Sequence, residues 1–313
     1  MIKKDAGLPR VVLVTRKTWL EVLRESRGTL DQVRFYLRSR GQKVEEYEEA
    51  HERFQAGRSE VLRSIPPDWR RVQVDRDDLD RFLFAPEDVV VIVGQDGLVP
   101  NTAKYLKGQL AIGINPDPER YDGILCRHPP GAMGALLAWV ARREGPAFRV
   151  EKRIMAVAER EDGQRLLALN EVFIGHQTHQ SARYRLRAAT GEERHSSSGV
   201  ICATGTGSTG WAQSISRQTG FAPPLPQPEE PRLAWFVREP FLSIATQTGL
   251  RHGELAAGER LTLDSEMGER GVIFADGIES DHLEFLSGHR VTVGIAPTTF
   301  NLVVGAAGSP PEV

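Results

Sequence analysis

The sequence is poor in cysteine. Among its 313 residues there are only two, Cys126 and Cys202, and they lie far apart in unlike surroundings. A small disulfide scaffold is therefore excluded, and each cysteine is more typical of a core residue than of a disulfide partner. We expect a protein of a reducing compartment, and from this a cytoplasmic one.

An excess of charge of one sign and long apolar runs are also missing. Lys and Arg number 40 against 42 Asp and Glu, which gives a net charge of −2. A nucleic-acid partner is therefore not indicated. No apolar run reaches the length needed to span a membrane, and residues 1–5 are basic and lack the apolar segment of a signal peptide. We expect a soluble protein with no membrane partner.

The length of the chain allows a large core and suggests two domains. Apolar runs predict strands at residues 11–14, 89–93 and 110–114. Helical spacing predicts a helix at residues 30–40, and the charge-dense residues 42–80 are interpreted as solvated helices. This β-α-β-α order is typical of a parallel sheet covered by helices.

The pattern changes near residue 146. A last helix is predicted at residues 131–143, after which short segments are separated by Gly, Asp and Pro turns. The predicted strands are residues 149–158, 166–174, 184–188, 200–203, 233–237, 260–263, 272–274 and 290–295. Such a series predicts a β-sandwich or a layered antiparallel sheet. We therefore place an α/β domain at residues 1–145 and an all-β domain at residues 146–289, and residues from about 290 to 313 are a candidate to rejoin the first domain.

The stretch at residues 89–97 is the most informative of the first half. A run of valines and one isoleucine, typical of a strand buried on both faces, ends in Gly94-Gln95-Asp96-Gly97. Open α/β sheets bind ligands at this end of a strand. The glycines would let a phosphate approach the backbone, and the carboxylate could take a proton or hold a metal ion. An ordinary strand-to-helix turn is the alternative.

A second glycine-rich loop follows the predicted strand at residues 200–203. Gly205, Gly207 and Gly210 satisfy G-x-G-x-x-G and precede a predicted helix at residues 211–217. The second parallel strand of a dinucleotide fold does not follow, because a proline-rich loop intervenes. The loop is predicted to offer amides and hydroxyls to an anionic or ribose-bearing ligand, with a plain capped turn as the alternative.

Polar residues interrupt the later strands. Asn170 and Glu171 lie within the apolar run at residues 166–174, where at least one of them should be buried and hydrogen-bonded. Asp276-Gly277 is interpreted as a hairpin turn. Three histidines, His176, His179 and His195, do not have the spacing of a metal site, and no metal-binding residues are predicted.

In order, these stretches resemble the NAD kinase family. Gly94-Gln95-Asp96-Gly97 is similar to its Gly-Gly-Asp-Gly motif, and Leu169-Asn170-Glu171 is similar to its Asn-Glu motif. Residues 204–211 are similar to its Thr-x-Thr-Gly-Ser-Thr-Ala-Tyr stretch, and Asp276-Gly277 to its late Asp-Gly. Residues 14–18 and 115–120 are similar to the mitochondrial-type branch, and the similarity runs from about residue 11 to residue 303.

The resemblance implies a Rossmann-like N-terminal domain, a sandwich-like C-terminal domain and a ligand between them. It implies phosphoryl transfer from ATP or polyphosphate, with Mg²⁺, to the 2′-hydroxyl of the adenosine ribose of NAD. Asp96 would orient or deprotonate that hydroxyl. The implied substrate-binding residues are Gly94, Gly97, Asn115, Asn170, Glu171, Thr206, Ser208, Thr209, Gly210, Ser214 and Asp276. The family is commonly oligomeric, and we expect a homodimer formed through the β-rich domain.

The chain departs from the family pattern at a few positions. Gln95 stands for the second glycine, Leu98 for a threonine, Ser198 for an aspartate, and Gly210-Trp211 for Ala-Tyr. Two alternatives to an active NAD kinase therefore stay open. One is a non-catalytic dinucleotide-binding protein of the same fold, and the other is a related kinase for a lipid or another substrate.

Overall fold

The computed structural model describes residues 9–142, 147–221 and 223–305. The chain divides into two compact units, the first made of Met1–Val150 with Asn301–Val313 and the second of Glu151–Phe300. The boundaries proposed from the sequence lie at residues 145 and about 290. None of the helices in the described ranges has both the length and the apolar character needed to cross a membrane.

Unit 1 is built on a parallel sheet of five strands in the order β2-β1-β3-β4-β16. The strands are β1 (Arg10–Thr15), β2 (Arg70–Asp75), β3 (Val89–Val93), β4 (Leu110–Ile114) and the end of β16 (Arg290–Gly305). All residues of β3 and β4 are buried, as the unbroken apolar runs predict. Because β2 lies on one side of β1 and β3 on the other, the strand order reverses between β1 and β3. At such a reversal the connections leave a crevice at the carboxyl ends of the strands.

Helices cover this sheet. They are α1 (Trp19–Arg27), α2 (Leu30–Arg38), α3 (Val44–Ser64), α4 (Leu98–Ala103) and α5 (Met133–Arg142), with 3-10 helices at Arg76–Arg81 and Pro130–Ala132. Apolar residues of α3 and α5 pack with β1, β3 and β4 in one core. Capping boxes at Thr18 and Thr29 fix where α1 and α2 begin.

One prediction for unit 1 was wrong. Residues 42–80 are not all helical, since β2 occupies Arg70–Asp75. This strand lies at the sheet edge, where five of its six residues stay partly or fully open to solvent and only Val74 is buried. Because the strand is largely charged and polar, a search for apolar runs did not predict it. The last residue of the predicted helix at residues 131–143 lies outside the described residues.

Unit 2 contains two antiparallel sheets. One has the order β12-β11-β10-β7-β14-β15, and the other has β16-β13-β8-β9 with β5 and β6 attached. The strands are β5 (Phe148–Arg160), β6 (Arg165–Ala168), β7 (Glu171–His176), β8 (Ala182–Ala188), β9 (Gly191–Ser197), β10 (Val200–Ala203), β11 (Arg232–Val237), β12 (His252–Ala256), β13 (Leu261–Ser265), β14 (Gly271–Ala275) and β15 (His282–Glu284). Both sheets contribute to one core, so the unit is a sandwich. The fold class predicted from the sequence is confirmed.

The outer face of the six-stranded sheet carries the helix α6 (Trp211–Thr219). Its Ala212 and Ile215 pack with Phe173, Ile201 and Phe236 of the sheet. The helix follows β10 directly after the glycine-rich loop, as predicted, and ends at Gly220 in the left-handed conformation.

Two predictions for unit 2 need correction. The apolar run at residues 166–174 is two strands, β6 and β7, with Leu169 and Asn170 in the break, and Asn170 and Glu171 are both only half-buried. Asp276 and Gly277 do form a turn with left-handed φ of 55° and 71°. The pair of residues nearest to this turn in the β14–β15 ladder is Phe274 and His282, so the connection is longer than a tight hairpin.

Candidate active site

Asp96 holds a backbone segment in unit 1. Its Oδ1 accepts hydrogen bonds from the amides of Leu125 and Cys126, both at 2.9 Å, and its Oδ2 accepts one from the amide of Ile124 at 2.8 Å. A carboxylate has about four acceptor positions, so one remains on Oδ2. Asp96 is therefore fixed in orientation and still able to accept one further hydrogen bond.

The two glycines near Asp96 differ in whether the backbone conformation requires a glycine at that position. Gly94 has φ of 155°, and a Cβ atom there would lie 3.3 Å from Leu98. Gly97 has an ordinary helical φ of −62°, and a Cβ would meet nothing within 4 Å. The fold therefore requires Gly94, whereas at Gly97 the missing side chain only leaves the backbone open to a close neighbour.

The departures at residues 95 and 98 are compatible with the loop. Gln95 is not among the residues with positive φ, so its backbone conformation suits any side chain. Its Oε1 accepts a hydrogen bond from Nη2 of Arg16 at 3.3 Å. Leu98 is fully buried in the core at the start of α4.

The Asn115 side chain stabilises the turn that follows β4. Its Nδ2 donates to the carbonyl of Tyr121 at 2.7 Å, and its Oδ1 accepts from the amide of Asp117 at 3.0 Å. Asp117 is in turn paired with Arg53 of α3 at 3.0 Å. Both ends of the Asn115 side chain are thus used inside the turn.

In unit 2, Asp276 has the same kind of role as Asp96. Its carboxylate accepts hydrogen bonds from the amides of Leu169 (3.0 Å), Asn170 (2.6 Å) and Glu171 (3.3 Å). These three amides lie at the break between β6 and β7, where the strand pairing no longer satisfies them. Asp276 therefore fixes the backbone that presents Asn170 and Glu171.

The side chains of Asn170 and Glu171 make no hydrogen bond with any residue in the ranges 9–142, 147–221 and 223–305. Burial raises the pKa of Glu171 to about 7, and the charge of Asp276 contributes to the increase. Glu171 therefore changes its protonation state near neutral pH. Half-buried polar groups without protein partners are candidates to bind a ligand.

The glycine-rich loop is anchored by Thr204, which the sequence analysis did not select. Its Oγ1 donates to the carbonyl of Leu169 at 2.5 Å and accepts from the amides of Thr206 (3.1 Å) and Gly207 (3.3 Å). A threonine that directly follows a strand and directly precedes a glycine is the signal that could have revealed this turn.

Close packing accounts for two of the three glycines in this loop. A Cβ at Gly205 would lie 1.9 Å from the carbonyl oxygen of Gln227, and one at Gly207 would lie 2.3 Å from that of Asn170. At Gly210 the nearest atom would be 3.8 Å away. The G-x-G-x-x-G spacing thus reflects contacts within unit 2, and it needs no dinucleotide fingerprint of the Rossmann type to explain it.

The remaining predicted residues lie along this loop and α6. Thr206 and Ser208 are buried, and Ser208 donates to the carbonyl of Thr204 at 3.1 Å. Thr209, Gly210 and Ser214 are exposed. The loop thus presents its exposed hydroxyls at the first turn of α6.

A buried ion pair beneath the loop was also missed. Arg153 is 2% exposed and donates to Oε2 of Glu151 at 2.7 and 3.1 Å, and its Nη1 donates to Oγ1 of Thr206 at 3.3 Å. Neither residue stands out in the sequence, because alternating charges in a strand usually face solvent. The guanidinium positions the Thr206 hydroxyl.

Trp211 lies at the floor of a cavity of about 400 Å³ in unit 2. Its ring stacks on Phe173 at 6.0 Å, and the guanidinium of Arg238 lies 4.7 Å above it. At the rim of this cavity the Ser198 hydroxyl donates to the carboxylate of Glu239. Glu239 therefore supplies a carboxylate next to the position where the family has aspartate and this chain has Ser198.

Across the described ranges, no three or more His, Cys, Asp or Glu residues come together as a metal site. Both cysteines are buried and unpaired, and burial raises the pKa of Cys202 to about 12. Neither thiol is placed as a nucleophile.

These features define a class of protein: a parallel α/β unit with an acidic glycine loop after its central strand, combined with a β-sandwich. No family model matches the chain. Mitochondrial NAD kinase 2 of Rattus norvegicus is 30% identical to it over 188 residues, which are 46% of this chain and 44% of that protein. The chain thus matches less than half the length of this curated relative.

Two solved structures share the fold over nearly the whole chain. An NAD kinase from Archaeoglobus fulgidus in complex with ATP is 19% identical with a TM-score of 0.57, covering 94% of this chain and 92% of that one. Yeast NADH kinase complexed with NADH is 15% identical with a TM-score of 0.57, covering 96% and 84%. The resemblance to NAD kinases in sequence and fold is therefore confirmed.

Proposed function

We propose that this chain is an NAD kinase that transfers the γ-phosphoryl group of ATP to the 2′-hydroxyl of the adenosine ribose of NAD. The observation that carries the proposal is Asp96, a carboxylate locked by three amides beyond the central parallel strand with one acceptor position open. Its relatives by sequence and fold are named as kinases of NAD or NADH.

In this mechanism the ribose oxygen attacks the γ-phosphorus, the bond to the β-γ bridging oxygen breaks, and ADP leaves. The hydroxyl proton passes to the open position on Oδ2 of Asp96. When bound with ATP, Mg²⁺ would neutralise charge on the transferred group. The open backbone at Gly97 lets the phosphates come close.

Unit 2 supplies the dinucleotide side of the proposal. Asn170 and Glu171, whose side chains make no hydrogen bond with another described residue, would hydrogen-bond ribose hydroxyls. Thr209 and Ser214 would offer hydroxyls at the start of α6. Thr206, Ser208 and Asp276 would hold these groups in place through the contacts described above. In phosphoryl transfer, the main contribution of the protein is positioning of this kind.

The departures at Gln95 and Ser198 favoured a non-catalytic protein. Two observations support turnover instead. Gln95 adopts a backbone conformation that needs no glycine, and Glu239 offers a carboxylate beside Ser198.

The proposal is tested by incubating the protein with NAD, ATP and Mg²⁺ and reading NADP through an NADP-specific dehydrogenase. Asp96→Asn should abolish NADP formation, whereas Asp122→Asn, an exposed carboxylate of the adjacent segment, should not. Binding of NAD by the parent without any NADP would contradict the kinase function and favour the non-catalytic alternative.

We also propose a homodimer through the β-rich unit in a reducing, cytoplasmic setting. Phe241, Leu242 and Ile244 are exposed by 66%, 68% and 110% on one segment of unit 2, and exposed apolar clusters of this kind often mark interfaces. Replacing all three with serine should convert the dimer to a monomer in light scattering. A parent that is monomeric at micromolar concentration would contradict this.

A further inference from the structure

The chain folds back over β4 after the turn that follows this strand. The amide of Asn115 donates to the carbonyl of His128 at 2.8 Å, and the amide of His128 donates to the carbonyl of Gly113 at 3.1 Å. These bonds place residues 123–128 beside the end of β4. The three amides that hold Asp96 belong to this stretch, which we call the Asp96-binding segment. Contacts that fix this segment therefore also fix Asp96.

Two glycines let the Asp96-binding segment come this close to β4. Gly113 lies within the strand, where a Cβ atom would be 2.2 Å from the carbonyl oxygen of Leu125. Gly123 begins the segment with a left-handed φ of 65°, and a Cβ atom there would be 2.4 Å from the carbonyl oxygen of Cys126. Both distances are much shorter than a van der Waals contact. A side chain at Gly113 must therefore push the amides of Leu125 and Cys126 away from β4.

Asn115 fixes the point at which the chain enters the segment. Its Nδ2 donates to the carbonyl of Tyr121 at 2.7 Å, and its Oδ1 accepts from the amide of Asp117 at 3.0 Å. It thereby holds both ends of the turn at residues 117–121. The family resemblance implies a contact between Asn115 and NAD. However, Asn115 is only 5% exposed, so a ligand has little access to it.

The other end of the segment is held by the last strand of unit 1. His128 is buried, and its Nε2 donates to the carbonyl of Val303 at 3.0 Å. Val303 belongs to the end of β16 and pairs with Ile112 of β4. The segment is therefore anchored at both ends, by the turn around Asn115 and by His128.

Asp96 depends on this segment for its orientation. Within residues 9–142, 147–221 and 223–305, the hydrogen bonds to its carboxylate come only from the amides of Ile124, Leu125 and Cys126. No side chain of these ranges donates to it. A change that moves the three amides therefore moves the carboxylate with them.

We propose that Asn115 and Gly113 are positioning residues for phosphoryl transfer, which act through the Asp96-binding segment, and that Asn115 makes no contact with NAD. This inference rests on the proposed function for the role of Asp96 in the reaction, whereas the anchoring of the segment can be tested without turnover. Misplacement of a reacting group by about 1 Å can cost about 100-fold in rate. The groups proposed to bind NAD lie in unit 2, so we expect kcat to fall while the KM for NAD stays the same.

The test measures two properties of the full-length protein. One is amide hydrogen exchange of residues 120–128 by mass spectrometry, and the other is kcat and KM for NAD in the coupled dehydrogenase assay. Asn115→Leu keeps a side chain of similar size and removes both hydrogen bonds. We expect exchange to be faster by about fivefold or more, kcat to fall by about 10-fold or more, and KM to stay within about twofold. Gly113→Ala, which removes no polar group, should give the same results.

Matched controls separate this role from a general loss of stability. Asn301→Leu removes the same kind of bond at the opposite end of β4, where Nδ2 of Asn301 donates to the carbonyl of Gly108 at 2.8 Å. Gly271→Ala in unit 2 places a Cβ atom 2.0 Å from the carbonyl oxygen of Phe285, which is a clash of the same kind. Both controls should lower the melting temperature and leave the exchange of residues 120–128 unchanged.

The possible outcomes overturn different statements. Unchanged exchange of residues 120–128 in a folded Asn115 or Gly113 variant would overturn the inference, and Asn115→Ser serves if Asn115→Leu does not fold. A KM for NAD that rises by about 10-fold in the Asn115 variant at unchanged kcat would also overturn it, in favour of direct contact with NAD. A parent that forms no NADP would overturn the kinase function, while faster exchange in both variants would leave the anchoring of Asp96 standing.

Discussion

At the scale of single residues, two aspartates follow the same design. Asp96 and Asp276 each lie just beyond a buried strand, each precedes a glycine, and each accepts hydrogen bonds from three consecutive amides. In both cases the carboxylate accepts hydrogen bonds from backbone N–H groups that strand pairing does not satisfy. The negative charge of Asp276 also acts on Glu171 and contributes to the increase of its pKa.

Glu171→Gln should change the pH dependence of stability. The pKa of Glu171 is raised from 4.5 to about 7 in the folded protein, so the folded state binds more protons between these values. Its favourable contribution is complete below about pH 4.5 and is lost as pH rises through about 7. We expect the parent to lose about 1–3 kcal/mol relative to the variant across that window, measured by urea unfolding at several pH values. A difference that does not vary with pH would contradict the assignment.

Asp96→Asn should affect structure as well as chemistry. The amide nitrogen of asparagine cannot accept the Ile124 or Leu125–Cys126 amide bonds that a carboxylate oxygen accepts, so at least one donor loses its partner. We expect a loss of about 1–3 kcal/mol in unfolding free energy together with the loss of NADP formation. Urea unfolding and the coupled assay on the same preparation measure both.

A second substitution at the same position separates the loss of stability from the loss of NADP formation. Asp96→Glu keeps a carboxylate that can accept from some of the same amides, but it moves the open acceptor position. We expect it to recover part of the stability and little of the activity. Full activity in Asp96→Glu would indicate that the position of the carboxylate is not decisive.

Arg153→Met should be strongly destabilising. Glu151 is 7% exposed, and the change removes a cation that donates to its buried carboxylate. Loss of one member of a buried ion pair costs about 3–5 kcal/mol. Thr206 also loses a donor, so the KM for NAD should rise. The double variant Arg153→Met with Glu151→Met should recover stability but not the KM. Equal stability of the single and double variants would show that the pair is not coupled.

At the scale of elements, the loop between β10 and α6 contains motif glycines that differ in packing. Two substitutions can therefore separate the effect of close packing from membership of the G-x-G-x-x-G motif. Gly207→Ala places a methyl group 2.3 Å from the Asn170 carbonyl oxygen, whereas Gly210→Ala meets nothing closer than 3.8 Å. We expect the first to lower stability by about 2 kcal/mol or more and to weaken NAD binding. The second should be close to neutral, and thermal melting with NAD titration checks both. Equal effects of the two changes would contradict the packing argument.

The elements that could be predicted from sequence are those with strong local signals. The run at Val89–Val93 and the short strand Val200–Ala203 have the bounds expected from their apolar residues. α6 begins at Trp211 as predicted. β2 and β9 were not predicted, because Arg70–Asp75 and Gly191–Ser197 are polar and pair at the edges of their sheets.

Contacts distant in sequence could not be predicted. The amides held by Asp96 lie about 30 residues further along the chain, and those held by Asp276 more than 100 residues before it. The break after Ala168 depends on Thr204 and Asp276, neither of which is close to it in sequence. A local pattern therefore selected the candidate site residues, but it could not show which distant groups fix their positions.

At the scale of the whole molecule, the two units are assembled from the chain in different ways. Unit 2 is one continuous segment, Glu151–Phe300, with both sheets of its sandwich. Unit 1 is discontinuous, because the end of β16 completes its parallel sheet. Asn301, Leu302 and Val303 pair with Leu110, Ala111 and Ile112 of β4.

The two units should therefore differ when they are produced alone. A fragment of residues 151–300 retains its core and should unfold cooperatively in urea. A fragment of residues 1–150 lacks Val303 from its core and exposes the edge of β4, and the ring of His128 loses its 3.0 Å contact with the Val303 carbonyl. Because burial of each such aliphatic side chain contributes about 1.5–3 kcal/mol, this fragment should be markedly less stable and prone to associate through the open edge. Size-exclusion chromatography with urea unfolding compares the two, and a monomeric, cooperative fragment 1–150 would show that β16 is dispensable for unit 1.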